Sequence, residues 1–268
     1  MKEFITEKGI YYRTNGIDRE KKTLILIHGV SGSSSAWLEL EDHFEDEYNI
    51  VALDLRGHGV SKKLTEYLDY NISSLSKDIR EITEFLDLND VILISHSFGT
   101  LVGLDLIFDL DEKIDSVVFV SPIFNVRKVR FAGFTFSIID RLANVINIFP
   151  FSPGKGGHVD YSKYRNTGDW NIRVFMADIM NTSFRIYLFC MKHLYTFRDA
   201  DSLLKNITKP TLIIHGTDDT VMPMEESVRS SEKISNCRFI PIEGGNHVLV
   251  RDKSDILSEK IKDFIENS

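Results

Sequence analysis

The sequence predicts an α/β protein: a mostly parallel central sheet flanked by helices, interrupted once by an inserted helical segment. Three observations predict it. Short aliphatic and β-branched runs recur between longer helical patterns. The runs are almost continuously apolar, as in Val91-Ile92-Leu93-Ile94, which is what a strand covered on both faces requires; a half-exposed strand alternates. The regular spacing then fails between Pro122 and Lys209, where two neighbouring strands should be joined by a single helix.

In chain order, two strands within residues 3–14 are expected to form an antiparallel edge. Strands follow at 23–28, 49–54, 90–95, 115–121, 211–216 and 237–242. Helical periodicity covers roughly 36–47, 71–86 and 98–110, then 223–234 and 253–266. The core is therefore assigned to residues 1–122 and 206–268, and a helical cap to residues 123–205. That segment holds 15 of the chain's 29 aromatic residues, and Pro150, Pro153, Gly154, Gly156 and Gly157 break its middle. A cap over one end of the sheet accounts for both the aromatic density and the lost spacing, with most of the rings forming the cap's own core.

Composition narrows the function. With 268 residues, 43% of them hydrophobic and 27% charged, the chain can bury a large core. A net charge of −8 argues against a nucleic-acid surface and against electrostatic docking on anionic lipid. The two cysteines, Cys190 and Cys237, form neither a disulfide framework nor a C-x-x-C pattern, which fits a reduced compartment. Lys2, Glu3, Glu7 and Lys8 stand where a signal peptide needs an apolar run, and no apolar stretch reaches about 18 residues. A soluble, cytoplasmic protein is expected.

The chemistry centres on Ser95-His96-Ser97-Phe98-Gly99, which joins a predicted buried strand to a predicted helix. A sharp turn there projects the serine oxygen above the sheet, and small residues two before and two after let backbone segments approach. Gly99 fills the second small position; Ser95 departs from the usual glycine at the first. The alternative role of Ser97 is a helix N-cap. The Phe98 N–H would lie at the helix N-terminus, where orphan donors and the macrodipole favour a developing oxyanion. A phosphate cradle competes for the glycine-serine stretch after His28, but the G-x-x-x-x-G-K-[ST] and G-x-G-x-x-G spacings are absent.

Five motifs stand in order: His28-Gly29, Asp54-Leu55-Arg56-Gly57-His58-Gly59-Val60-Ser61, the turn at Ser97, Gly216-Thr217-Asp218-Asp219-Thr220-Val221-Met222-Pro223, and Gly244-Gly245-Asn246-His247. On these the chain resembles the α/β-hydrolase fold superfamily, in particular its capped esterase and lipase-like members. The resemblance covers nearly everything outside the cap. It implies that Ser97 is the nucleophile and that the backbone N–H of Val30 is the second oxyanion donor. It places the acid three residues past Gly216, at Asp219, with Asp218 as the neighbour that sequence cannot separate from it. The Asp54–Ser61 run resembles a structural segment of the family, so Arg56 and His58 receive no catalytic role.

A serine hydroxyl needs a hydrogen-bonded base, and the base needs an acid to fix its tautomer. Among the histidines, His247 alone lies in a small-residue loop between the last strand and the final helix. His215 lies inside a strand pattern, His96 leaves the turn in another direction, and His43, His158 and His193 fall in helices or the cap. The order Ser97, Asp219, His247 is that of the α/β-hydrolase fold. A serine at position 97 also excludes relatives whose alkyl-enzyme chemistry needs a carboxylate there. The expected reaction is hydrolysis of a small apolar or lipid-like ester through an acyl-enzyme, without cofactor or metal. Carbon–carbon bond, thioester and lactone cleavage use the same triad, and a barely catalytic ligand receptor is a reading of another class. A metal site built from His158, Asp160 and His193 is the remaining alternative.

Overall fold

Burial on both faces decides the sheet. In the computed structural model, which describes residues 1–128, 132–197 and 200–267, every residue of the central strands is buried. The strands are β1 (Lys2–Ile5), β2 (Tyr11–Thr14), β3 (Thr23–Ile27), β4 (Asn49–Leu53), β5 (Val91–His96), β6 (Ile114–Val120), β7 (Thr211–Gly216) and β8 (Cys237–Ile242). They lie in the order β1-β2-β4-β3-β5-β6-β7-β8. β1 pairs antiparallel with β2 and β2 with β4; all other pairs are parallel.

Helices cover both faces: α1 (Leu38–Phe44), α2 (Ile72–Phe85), α3 (Gly99–Asp109), α4 (Ala132–Ile146), α5 (Ile172–Thr182), α6 (Phe184–Thr196), α7 (Ala200–Lys205), α8 (Met224–Ser231), α9 (Leu249–Asp252) and α10 (Ser254–Glu266). The pleat splits each strand between two cores. Leu24, Leu26, Ile92 and Ile94 pack with Trp37, Phe44 and Leu257 on one side, and Ile25, Ile27, Val91 and Leu93 pack with Leu75, Leu101 and Leu104 on the other. Each fully buried Leu or Ile stabilises the fold by about 2 kcal/mol relative to exposure.

Element ends differ from the sequence reading by a few residues. The helix expected from residue 36 begins as a 3-10 turn, Ser34–Trp37, because the fully buried Trp37 swings the chain onto the sheet before α1 starts. Asn71 caps α2 by accepting the Ser74 N–H at 2.7 Å, and Pro223, lacking an N–H, serves as the cap of α8 instead of its first turn.

Between β6 and β7 the chain carries α4 to α7. Many of the segment's aromatic rings pack internally, as Phe175 does edge-on against Tyr187, but Phe134, Phe149, Trp170 and Phe184 face outward. Among the described residues no helix is long and apolar enough to cross a membrane.

β3 is the switch point, with β4 on one side and β5 on the other. The loops after β3 and β5 therefore diverge to opposite faces, and a crevice opens at their carboxyl ends.

Candidate active site

Ser97 sits in that crevice with φ at +52°, in the left-handed region that costs a non-glycine residue about 1–2 kcal/mol. Its neighbours hold it there: its N–H donates to the Val120 carbonyl at 3.0 Å, and its own carbonyl accepts the Thr100 N–H at 2.9 Å. The turn brings α3 against β3 so closely that a Cβ at Gly99 would stand 2.5 Å from the His28 carbonyl oxygen. Ser95 fits in place of the usual glycine because Gly103 faces it; a Cβ on Gly103 would lie 3.0 Å from Ser95 Oγ.

The loop after β3 is shaped by His28. Its Nε2 accepts the Leu55 N–H at 3.0 Å, which puts the ring proton on Nδ1, and Nδ1 donates to the Gly29 carbonyl at 2.7 Å. Burial lowers the pKa of His28, in keeping with a neutral ring. With the Gly29 carbonyl turned aside, the Val30 N–H has no hydrogen-bond partner among the described residues, and neither has that of Phe98. The next residue, Ser31, is left-handed, and its carbonyl accepts the Thr182 hydroxyl of α5 at 3.0 Å.

The structure brings three of the residues singled out in the sequence together. His247 Nε2 lies 2.8 Å from Ser97 Oγ, and His247 Nδ1 lies 2.7 Å from Asp219 Oδ2. A carboxylate only accepts, so Nδ1 carries the proton and Nε2 is left to accept from the serine. Asp218 is not the partner; its carboxyl meets the Thr217 hydroxyl at 3.2 Å. The loops bearing Asp219 and His247 approach so closely that a Cβ on Gly216 would stand 2.2 Å from the Gly245 carbonyl oxygen, and the Asp218 N–H donates to that oxygen at 2.8 Å.

Several residues that sequence reasoning missed surround these three. Asp219 Oδ1 accepts the N–H groups of Val221 and Met222, each at 2.8 Å, while His215 Nε2 approaches Oδ2 at 3.1 Å. His215 Nε2 also faces the Met222 carbonyl at 3.1 Å, so it is a donor, and its Nδ1 accepts from Ser227. Burial pushes the Asp219 carboxyl up, but the hydrogen bonds from His215 and His247 and the charge of His247 outweigh it and hold the group well below the usual carboxylate range. His96 Nε2 donates to the His247 carbonyl at 2.9 Å; burial, with the charge of His247 behind it, pushes this ring down to about 3. From the inserted segment, Asp169 Oδ1 accepts the His247 N–H at 2.7 Å. Its Oδ2 accepts the N–H and the hydroxyl of Thr220 at 3.0 and 2.6 Å. One carboxylate thus holds the His247 loop and the Asp219 loop together, and Trp170 Nε1–H adds a bond to Thr220 Oγ1 at 2.9 Å.

Ser97 and His247 open on a cavity of about 570 Å³ between sheet and insertion. Ile123, Ala132, Ile139, Val174, Met191 and Leu194 make most of its wall apolar. One face of α4 supplies Ala132, Thr135 and Ile139 to the wall, and Phe134, Ile138 and Leu142 on its other face are exposed. The sequence run from Phe131 to Ile139 is the most lipophilic part of the insertion; its first residue, Phe131, lies outside the described residues.

The remaining motif residues serve the frame. Asp54, fully buried, accepts the N–H groups of Ser34 and Val60 at 2.8 Å each and meets His158 Nε2 at 2.9 Å. Burial opposes its ionisation, yet the hydrogen bond and charge of His158 bring it down to about 2. Arg56 makes a two-pronged pair with Asp78 at 2.9 and 2.6 Å, and His58 stacks at a tilt near His28. His158, Asp160 and His193 do not converge: His193 bonds the Tyr67 carbonyl and stacks on its ring, and Asp160 pairs with Lys163 on the surface. Among the described residues no cluster of metal-ligating side chains is found.

Fold and crevice together define an α/β hydrolase. The chain belongs to the α/β-hydrolase fold family, whose model matches residues 22–253. Epoxide hydrolase 1 of Caenorhabditis elegans is 24% identical over 96% of this chain and 67% of the relative. Two solved structures superpose along almost the whole length: the esterase EaEST from Exiguobacterium antarcticum, with a TM-score of 0.74, 18% identity and coverage of 96% of this chain and 95% of that one, and the α/β hydrolase MGS-M2 from a deep-sea metagenome, at 0.77, 19%, 100% and 98%.

Proposed function

We propose that the protein is a serine esterase that hydrolyses an uncharged ester with an apolar acyl chain through an acyl-enzyme. The observation that carries this reading is the unbroken hydrogen-bond chain from Ser97 Oγ through the His247 ring to Asp219. Ser97 Oγ attacks the ester carbonyl and gives its proton to His247 Nε2, and the oxyanion is held by the N–H groups of Val30 and Phe98. Collapse breaks the bond to the alcohol oxygen, which leaves with the proton from His247. Water then attacks the acyl-serine while His247 takes its proton; the acyl–Oγ bond breaks, the carboxylic acid leaves and His247 returns the proton to Ser97 Oγ. Asp219 keeps the imidazole oriented and stabilises its charged form.

The insertion acts as the cap, and its apolar inner wall takes the acyl chain. An alkyl-enzyme route needs a carboxylate at position 97, where this chain has a serine. Similarity to esterase structures agrees with the reading but carries only the fold at these identities. Fluorophosphonate treatment followed by intact mass and peptide mapping tests it. A single adduct on Ser97, absent from Ser97→Ala and accompanied by loss of para-nitrophenyl ester turnover, is expected. Labelling elsewhere with turnover intact in Ser97→Ala would end the proposal.

A further inference from the structure

Beside the apolar chamber lies a second, smaller cavity of about 90 Å³, room for a fragment of a few heavy atoms. It shares Gly29, Val30, His96 and Val248 with the main chamber, so it begins at the loop that would hold the oxyanion. Two charged side chains, each more than nine-tenths buried, belong to both walls. Asp178 of α5 is 8% exposed and Arg251 of α9 is 7% exposed.

Neither group is fully satisfied. Asp178 Oδ1 accepts the Tyr161 hydroxyl at 2.7 Å, and Oδ2 has no hydrogen-bond partner among the described residues. Arg251 spends Nε and Nη2 on Asp252 and the Gly168 carbonyl, and Nη1 has no hydrogen-bond partner among the described residues. A carboxyl group buried without an ion pair costs several kcal/mol that an apolar residue in the same wall would not. Burial pushes the Asp178 carboxyl up to about 7, with the Tyr161 hydrogen bond and then the Arg251 charge pulling against it. A buried carboxyl facing a cavity beside Ser97 and His247, with an oxygen left unbonded, is a candidate for ligand binding.

We infer that Asp178 and Arg251 form a polar subsite for a neutral hydroxyl carried within a few atoms of the scissile carbonyl. The hydroxyl donates to Asp178 Oδ2 and accepts from Arg251 Nη1, so each unsatisfied group gains the partner it lacks. An ammonium would suit Asp178 alone and would meet the guanidinium in the same wall; an apolar fragment would strand both groups. The inference rests on the serine-esterase reading and deepens it: an apolar acyl chain lies in the large chamber and a hydroxylated fragment beside the oxyanion loop.

The hydroxyl can sit on the acyl or on the alcohol side, and two isosteric pairs separate these. One pair is para-nitrophenyl 3-hydroxybutyrate against 3-methylbutyrate; the other is 2-hydroxyethyl butyrate against propyl butyrate. In at least one pair the wild-type protein should favour the hydroxyl member in kcat/KM by about 10-fold or more. Asp178→Leu should abolish or invert that preference. Asp178→Asn, which keeps the size and the acceptor for Tyr161, should reduce it and stands in if the leucine variant does not fold. Equal rates within both pairs, a preference unmoved in both variants, or tighter selection of para-nitrophenyl 3-aminobutyrate would overturn the subsite and leave the esterase reading standing. No turnover of any ester by the wild-type protein, together with no fluorophosphonate adduct, would remove both.

Discussion

Replacing Asp178 by asparagine should stabilise the protein, by an amount that depends on pH in a defined direction. The carboxyl is 8% exposed and its pKa rises from 3.8 in the unfolded chain to about 7, burial being the cause. Below pH 4 both states hold the proton and the group contributes nothing. Between pH 4 and 7 the unfolded state ionises first, so the folded state binds more protons and stability falls as pH rises. Above pH 7 the penalty is complete, and about three pKa units at 1.36 kcal/mol each set a ceiling of about 4 kcal/mol. Asparagine is neutral throughout and can still accept from Tyr161. Urea melts of wild type and Asp178→Asn at pH 5 and pH 8 should therefore show a gain above about 1 kcal/mol at pH 8 that shrinks by at least half at pH 5. A difference independent of pH, or a loss of stability at pH 8, would refute the reasoning that the burial of Asp178 outweighs its Tyr161 hydrogen bond and the Arg251 charge.

Further outcomes follow from the same geometry. Asp219→Asn should cut kcat by on the order of 10⁴, since the amide can donate to Nδ1 and reverse the tautomer, whereas Asp218→Asn should stay within about twofold; steady-state kinetics on one ester decide between the neighbours. Asp169→Ala frees the His247 N–H and the Thr220 N–H at once and should lower kcat by about 10- to 100-fold with little change in KM, a split that a mere loss of cap stability would not produce. Gly99→Ala sets a Cβ 2.5 Å from a backbone oxygen and should cost about 3 kcal/mol or more in a thermal or denaturant melt, with esterase activity lost in the fraction that still folds.

The central strands were legible because burial on both faces leaves an uninterrupted aliphatic signature, and Ser97 and Asp219 because each follows such a strand; His247 follows the partly exposed edge strand β8 and was legible from the small-residue loop Gly244-Gly245-Asn246 before it. What stayed hidden depends on contacts that no local pattern encodes. His215 read as an interior strand residue, and its distinction is that the Asp219 loop folds back over the strand end and presents a carboxylate to it. Asp169 stands 78 positions before His247 and 51 before Thr220, and the turn residues Asn166 and Gly168 mark a loop there without indicating which distant loops it meets. Asp178 was invisible for another reason: at helical spacing an acidic residue reads as the wet face of α5, and only the packing of that helix over the crevice turns it inward. The aromatic richness of the insertion pointed to an internal core, yet Phe134, Phe149 and Trp170 stand exposed because four helices are too few to enclose so many rings.

The double grip of Asp169 also bears on how this scaffold can be re-engineered. Insertions of this kind invite wholesale exchange between relatives as a route to new substrates, on the premise that the sheet keeps its chemistry whatever covers it. Here that premise fails at one residue. A graft that discards positions 168–170 would leave the loop bearing the imidazole and the loop bearing the carboxylate without their common anchor, so any chimera has to carry these three residues over with the recipient sheet.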